Sequence, residues 1–503
     1  MILIESQYPP ICLGTGAWYP SDGQDEDCLF ANVWAPTNAT ATSKLPVWVF
    51  IQGGGYVANT NGNWDFTEVV QESGHSVVMV NFNYRVGLWG FLASEGVKAD
   101  GALNAGLLDQ RMLMKWVKAH IAAFGGDPDH VVIHGASAGA GSVAMHLVAY
   151  GGRNDNLFVG GMAESIFFPA QPYVSELEYQ FDRVVSQTGC RGMDRAQQMA
   201  CLRSKDTAVL QAANHAQAFP GRPEPPVPLF YWTPCIDGDF LQDLPYRLFE
   251  KGQFVRVPMV FGTTTDEGSV FAPNAASPSD LTNFFRNNYP LLTANDTASI
   301  LSHYPLLPPL PAHNAWFPTA SRAYGEATFI CPQHNILTYL HSRSGPGSAS
   351  NHNSHNNNWN SSKLYAYRYN VHDDGNAAQG LGVPHVFDAP AIFGPDALGP
   401  GGGGAAFASY KTYNARVVPL VRGYWLSFVR ALDPNACRMA GAPRWGEWGG
   451  GGEGEEEEEE REKKEKGRLV VETEGARMEG VDGAEEERCA FWAGLGRGRM
   501  EQR

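Results

Sequence analysis

The stretch His130 to Tyr150, HVVIHGASAGAGSVAMHLVAY, decides how the rest of the chain is read. Val131, Val132 and Ile133 form a β-branched run suited to a buried strand, whereas Val143, Ala144, Leu147 and Val148 recur at helical spacing. The period therefore changes across Gly135-Ala136-Ser137-Ala138-Gly139, a G-x-S-x-G pattern. In such a turn the glycines leave room for the adjoining strand and helix, and the central serine is held in a strained conformation with its hydroxyl at the head of a helix. In a chain with 56 glycines the pattern alone is weak, so its surroundings must decide it.

Upstream, Leu45 to Gln52 (LPVWVFIQ) predicts a buried strand that stops at Gly53-Gly54-Gly55. Successive unshielded backbone N–H groups can hold an anion, although a glycine triplet is also ordinary loop punctuation. Leu29 to Trp34 alternates as a strand, Asp65 to Glu72 predicts a short helix and Ser76 to Phe82 another strand. Asn104 to Phe124 predicts a long amphipathic helix with Leu108, Met112, Trp116 and Ala119 on its buried face and a stop at Gly125-Gly126. Strands alternating with helices at this spacing predict a mostly parallel central sheet covered by helices on both faces. From Gly151 the periodicity weakens and proline is frequent, so residues 151–256 are expected to be a cap or insertion. Val257 to Gly262 and Leu364 to Val371 return to the strand pattern. Between them, residues 341–362 are low-complexity and expected to be a disordered surface insertion, whose His341, His352 and His355 have no ordered scaffold for a metal.

The net charge of −16 is unevenly placed: from Gly449 onward there are 17 acidic and 10 basic residues, a net of −7, which leaves −9 for the first 448. Nothing basic points to nucleic acid. No apolar run approaches the roughly 18 residues of a membrane-spanning helix, and Met1 to Ile4 lack the features of a signal peptide. Eight cysteines, together with sequons at Asn38, Asn295 and Asn360, nevertheless favour a secreted protein whose leader is missing from this chain.

In an α/β hydrolase the catalytic groups follow in the order serine, acid, histidine, each after a strand. Glu267 follows the first of the two later strands and His385 the second, so Ser137, Glu267 and His385 are the candidate triad. Alone, Glu267 reads as a loop acid and His385 as a loop histidine; their order and strand context argue for more.

The chain resembles the type-B carboxylesterase/lipase family, the cholinesterase-like α/β hydrolases, and its fungal esterases most of all. The residues that carry the resemblance are Glu26-Asp-Cys-Leu29 with Asn32-Val-Trp34, Gln52-Gly-Gly-Gly-Tyr56, Asn83 to Leu92, Asn104 to Arg111, Phe124 to Pro128, the elbow, Asp266-Glu-Gly268 and Gly382-Val-Pro-His385. The resemblance implies an α/β-hydrolase fold over residues 1–448 and 468–503, with 449–467 a Gly/Glu-rich insertion. It implies Ser137 as nucleophile, His385 as base, Glu267 as its acid partner, and backbone N–H groups of Gly54, Gly55 and Ala138 as the oxyanion hole, acting on small-molecule or lipid esters with no metal or organic cofactor. It also implies disulfides Cys12–Cys28, Cys190–Cys201 and Cys331–Cys489, leaving Cys235 and Cys437 unassigned. Relative to the family the chain starts late, so the amino-terminal strands are expected to be missing, and Ala136 stands where the family usually has glutamate. The Cys12 to Cys28 loop contains Trp18, but nothing assigns it as a choline-binding tryptophan, so cholinesterase activity is not expected. The competing expectations are a non-catalytic cholinesterase-like binding protein and an inactive truncated esterase.

Overall fold

Side-chain alternation along the strands sets the layers. In the computed structural model, which describes residues 8–16, 23–59, 64–222, 226–343, 363–397, 404–449, 467–496 and 498–500, strand β4 (Leu45–Ile51) sends Val47, Val49 and Ile51 into one core and Trp48 and Phe50 into another. A strand with both faces covered has no room for polar alternation, and for that reason it reads as a continuous apolar run. The same two-residue period divides β6 (Gly126–Ala136), whose Val131 and Ile133 join the first core and Val132 the second.

Nine strands form the central sheet. With β3 (Ala31–Trp34), β5 (Val78–Phe82), β7 (Gly160–Glu164), β8 (Met259–Thr264), β9 (Leu364–Asn370), β10 (Gly467–Glu472) and β11 (Gly475–Gly480), the order is β11-β10-β9-β8-β7-β6-β4-β5-β3. All pairs are parallel except β3 with β5 and β10 with β11, so antiparallel strands lie at both edges. This is the α/β-hydrolase fold. A separate parallel pair, β1 (Ile11–Cys12) with β2 (Gln24–Asp25), precedes the sheet.

The other predicted strands lie within two residues of their observed bounds, whereas the strand read on Val131 to Ile133 runs from Gly126 to Ala136, and two further readings need correction. Helix α1 (Ala105–His120) buries Leu107, Gln110, Met114 and Val117, whereas Met112 is 63% exposed and Ala119 faces solvent. The sequence misleads because Gln110 is inside: its amide donates to Ser142 Oγ at 3.0 Å and its carbonyl oxygen lies 2.9 Å from His146 Nε2, so a satisfied polar residue occupies the buried stripe. In addition, β7 falls within residues 151–256; its sequence, GGMAE, has too few large apolar residues to register as a strand.

Three disulfides brace the periphery, Cys12–Cys28, Cys190–Cys201 and Cys331–Cys489, while Cys235 is a buried and Cys437 an exposed free thiol. The third joins helix α3 (Cys331–Ser342) to helix α5 (Gly483–Gly496), with helix α4 (Val417–Ala431), packed into the second core, between them in the chain, and Arg488 of α5 forms a two-pronged ion pair with Glu326 at 2.7 and 2.9 Å. His341 belongs to the end of α3; His352, His355 and Asn360 lie outside the described residues, as do Trp18 and residues 450–466 of the Gly/Glu-rich stretch. No described helix is long and apolar enough to cross a membrane.

Candidate active site

Ser137 sits between β6 and helix α2 (Ala138–Gly152) with φ 57° and ψ −121°. Only close packing can hold a non-glycine residue there. Its N–H donates to the Glu164 carbonyl at 2.9 Å, and its own carbonyl accepts from Gly141 and Phe167 N–H, each at 3.0 Å. The flanking glycines are sterically required: a Cβ on Gly135 would overlap the Gly139 backbone, and one on Gly139 would overlap the Ile51 carbonyl. Helix α2 can thus lie directly against β4, with every residue from Ala138 to Ala149 buried. Its amino end, with unpaired N–H groups and the positive pole of the helix dipole, lies at the serine.

The loops after β8 and β9 meet at the same edge. Glu267 is fully buried; Oε1 accepts the Thr264 N–H at 2.7 Å and Oε2 lies 2.5 Å from His385 Nδ1. Holding the proton on Nδ1 leaves Nε2 of neutral His385 as an acceptor, and Nε2 has no hydrogen-bond partner among the described residues. Asp266, to which the sequence reading gave no role of its own, stitches the two loops together. Its N–H donates to the Val383 carbonyl at 3.0 Å, and its Oδ2 accepts the Val383 N–H at 2.8 Å. Gly382, at φ 62°, is the residue that lets the chain pass this carboxylate, because any Cβ would overlap Oδ2. Val386, immediately after the histidine, has φ 54°, an outlier for a β-branched residue, and its N–H reaches Ser165 Oγ at 3.4 Å.

Gly53, Gly54 and Gly55 lie against the elbow, and a Cβ on Gly53 would sit 2.9 Å from Ser137 Cβ. Among the described residues no acceptor takes the N–H of Gly54 or Gly55. Aromatic rings wall the histidine: Phe271 and Phe329 have centroids 5.0 and 4.5 Å from the His385 ring. Phe329 is delivered by a π-helical segment, Glu326–Ile330, inserted just before α3. Wide turns of this kind cluster at functional sites and leave no sequence periodicity to find. Of the aromatic pair after β7, Phe167 joins this wall, 4.4 Å from Phe230, while Phe168 stacks on Tyr246 in the core.

Beneath the elbow lies a second polar cluster that the sequence reading missed. His134, Glu164 and Asp388 are all buried, with His134 Nε2 3.3 Å from Glu164 Oε2 and the Tyr367 hydroxyl donating to Asp388 Oδ2 at 2.6 Å. Burial pushes His134 down to about 3. It pushes Glu164 well above the usual carboxylate range, helped by the Asp388 charge, and raises Asp388 as well. At neutral pH His134 is therefore uncharged, and its contact with Glu164 is not an ion pair. Elsewhere, no three His, Cys, Asp or Glu side chains cluster as a metal site among the described residues.

A strand-to-helix elbow with its serine at positive φ, a glycine triplet beside it and a histidine–glutamate pair at the same sheet edge point to one family, and a sequence profile described as the carboxylesterase family matches residues 5–492. The chain belongs to the carboxylesterase family. Within it, Secreted lipase 1 of Botryotinia fuckeliana is 33% identical over 436 residues, covering 82% of this chain and 69% of that protein. Lipase 1 of Geotrichum candidum is 38% identical over 274 residues, 51% of this chain and 47% of the lipase, so the chain spans about half the length of that relative. The crystal structure of Aspergillus niger EstA superposes with a TM-score of 0.89 at 45% identity, over 98% of this chain and 89% of EstA.

Proposed function

We propose that the chain is a serine carboxylic-ester hydrolase in which Ser137, His385 and Glu267 form the triad. The observation that carries this reading is the Glu267–His385 hydrogen bond, which leaves Nε2 free on the sheet edge that presents the strained serine. Nε2 takes the Ser137 proton as Oγ adds to the ester carbonyl carbon, and Glu267 stabilises the resulting imidazolium. The tetrahedral oxyanion is held by N–H groups of Gly54, Gly55 and Ala138; removing one donor of this kind typically costs about 3 kcal/mol of transition-state stabilisation. Collapse expels the alcohol, which receives the proton from Nε2 and leaves an acyl-serine. Water, deprotonated by the same nitrogen, then releases the acid and restores the hydroxyl.

The relatives' names, a secreted lipase of Botryotinia fuckeliana and a secreted triacylglycerol lipase of Gibberella zeae, support an ester substrate and export. Three disulfides and the exposure of Asn38 and Asn295 fit an exported glycoprotein. Hydrolysis of p-nitrophenyl acetate tests the reading: Ser137→Ala is expected to remove it, and an organophosphonate is expected to label Ser137. Equal rates in the two proteins would overturn the assignment, and so would label found elsewhere.

A further inference from the structure

The loop that faces Ser137 is a strained piece of backbone. Gly54, Gly55 and Tyr56 follow one another at φ 108°, 63° and 62°, and the last is a fully buried tyrosine in a region that suits glycine. Such a run keeps its shape only where its surroundings fix it. Here both ends of the loop go to one residue. Strands β4 and β5 pair in parallel as far as Phe50 with Asn81, and just past the end of β5 the buried Tyr84 extends the hold: its hydroxyl donates to the Gln52 carbonyl at 2.9 Å. At the far end the Asn59 side-chain amide donates to the Tyr84 carbonyl at 3.1 Å. The Gln52 amide donates to Asn59 Oδ1 at 2.8 Å, so three hydrogen bonds close a ring through Gln52, Asn59 and Tyr84 at the base of the loop. Within the loop the Gly54 carbonyl accepts the N–H groups of Val57 and Ala58 at 3.0 and 2.9 Å, and the Tyr56 carbonyl accepts the Gly87 N–H at 2.7 Å.

We propose that Tyr84 is a positioning residue for ester hydrolysis, aiming the N–H groups of Gly54 and Gly55 at the oxyanion through its hydrogen-bonded ring with Gln52 and Asn59. The inference rests on Ser137 being the nucleophile and on those two amides receiving the oxyanion. Fixed donors stabilise a transition state because they need no reorientation when the charge appears. With the Gln52 carbonyl released, the relaxation open to the chain is rotation at Gly54 or Gly55, since glycine takes either sign of φ at little cost. That rotation would turn the amides away from Ser137. Tyr84 is fully buried and meets no substrate; what it sets is the direction of two donors. Those donors matter most to the charged tetrahedral state, so the loss falls on kcat and spares binding of the uncharged ester. A tyrosine that merely filled the core would affect the two alike.

The test is Tyr84→Phe, which keeps the ring and removes only the hydroxyl. Hydrolysis of p-nitrophenyl acetate is measured per active site, counted by organophosphonate titration so that misfolded protein does not enter kcat. Inhibition is measured with an alkylthio trifluoromethyl ketone and with the secondary alcohol of the same skeleton. Ser137 Oγ adds to the ketone carbonyl carbon, its proton passes to His385 Nε2, and the carbonyl π pair becomes the oxyanion of the adduct; the alcohol forms no such bond. In Tyr84→Phe, kcat and ketone affinity are expected to fall together by about tenfold or more, with alcohol affinity within about twofold of native. Asn59→Ala, at a half-buried position, opens the ring at its other end and is expected to give the same pattern more weakly. The double variant is expected to lose less than the product of the two single losses, because both release one loop. A kcat within about twofold of native in Tyr84→Phe, an equal loss for ketone and alcohol, or fully multiplicative losses in the double variant would each overturn the proposal. If hydrolysis survives Ser137→Ala, the catalytic reading falls and takes the proposal with it; a Ser137-dependent enzyme indifferent to Tyr84→Phe removes the positioning role alone.

Discussion

Two histidine–glutamate pairs flank the elbow, and they differ in everything that governs chemistry. His385 and Glu267 come from loops at the sheet edge, are joined by a bond of 2.5 Å, and leave one imidazole nitrogen unpartnered. His134 and Glu164 lie in the sheet itself, 3.3 Å apart, with the imidazole enclosed by the rings of Trp48 and Phe393 at 5.6 and 5.5 Å. Burial holds His134 neutral near pH 7 and raises Glu164, which disfavours the charged imidazolium–carboxylate state in the second pair. The difference teaches that which elements present a histidine–glutamate pair, and what space its free nitrogen meets, decide whether it can exchange a proton with a substrate. Composition alone would not separate the two.

Catalysis offers the largest contrast. His385→Ala is expected to lower kcat for p-nitrophenyl acetate by about 10⁶-fold, and Glu267→Gln by about 10⁴-fold, as in triads where the base or its orienting acid is lost. His134→Phe, which keeps a ring between Trp48 and Phe393, is expected to stay within about tenfold of native; a loss as deep as that of His385→Ala would break the comparison.

Stability against pH gives a smaller contrast. A histidine depressed in the folded state contributes stability that is present above its ordinary value near 6.5 and lost as pH falls towards about 3, so urea unfolding of the native protein should weaken over that window, by at most about 1.4 kcal/mol per pH unit for this group. His134→Phe is expected to flatten that loss in part, with His146, likewise pushed down by burial, retaining the remainder. An unchanged slope would mean that His134 is not held neutral. Glu164 has the opposite sign: a carboxyl raised by burial contributes stability that is present at low pH and lost as pH rises above the usual carboxylate range. Glu164→Gln is therefore expected to gain stability relative to native as pH rises, by a smaller margin than the change in His134→Phe, since Asp388, likewise raised by burial, remains.

Much of this was legible in the chain. The fold follows from strands that bury both faces and helices between them, because β-branched runs and glycine stops are local signals. The candidate site follows from order, with Ser137, Glu267 and His385 each placed just after a strand. What stayed hidden depends on three-dimensional proximity. Gln110 looks like a surface residue until Ser142 and His146 are seen to satisfy it. Asp266 is one acid in an Asp-Glu-Gly triplet until its backbone and carboxylate meet Val383, 117 residues away. Phe230 and Phe329 lie in an irregular segment and a π-helical turn, where no period says which way a ring will point.

The Cys331–Cys489 bond has a consequence for how the molecule is made. Cys331 stands two residues beyond Phe329, so this bond anchors the wall behind His385 to α5. The two cysteines are 158 residues apart, which at synthesis rates of roughly 5–20 residues per second separates their emergence from the ribosome by about 8–30 s. The partners in the other two bonds are separated by only 16 and 11 residues and emerge within a few seconds of each other. Short-range pairs thus have the opportunity to close first, leaving Cys331 a nascent thiol with two wrong partners, Cys235 and later Cys437, until α5 arrives.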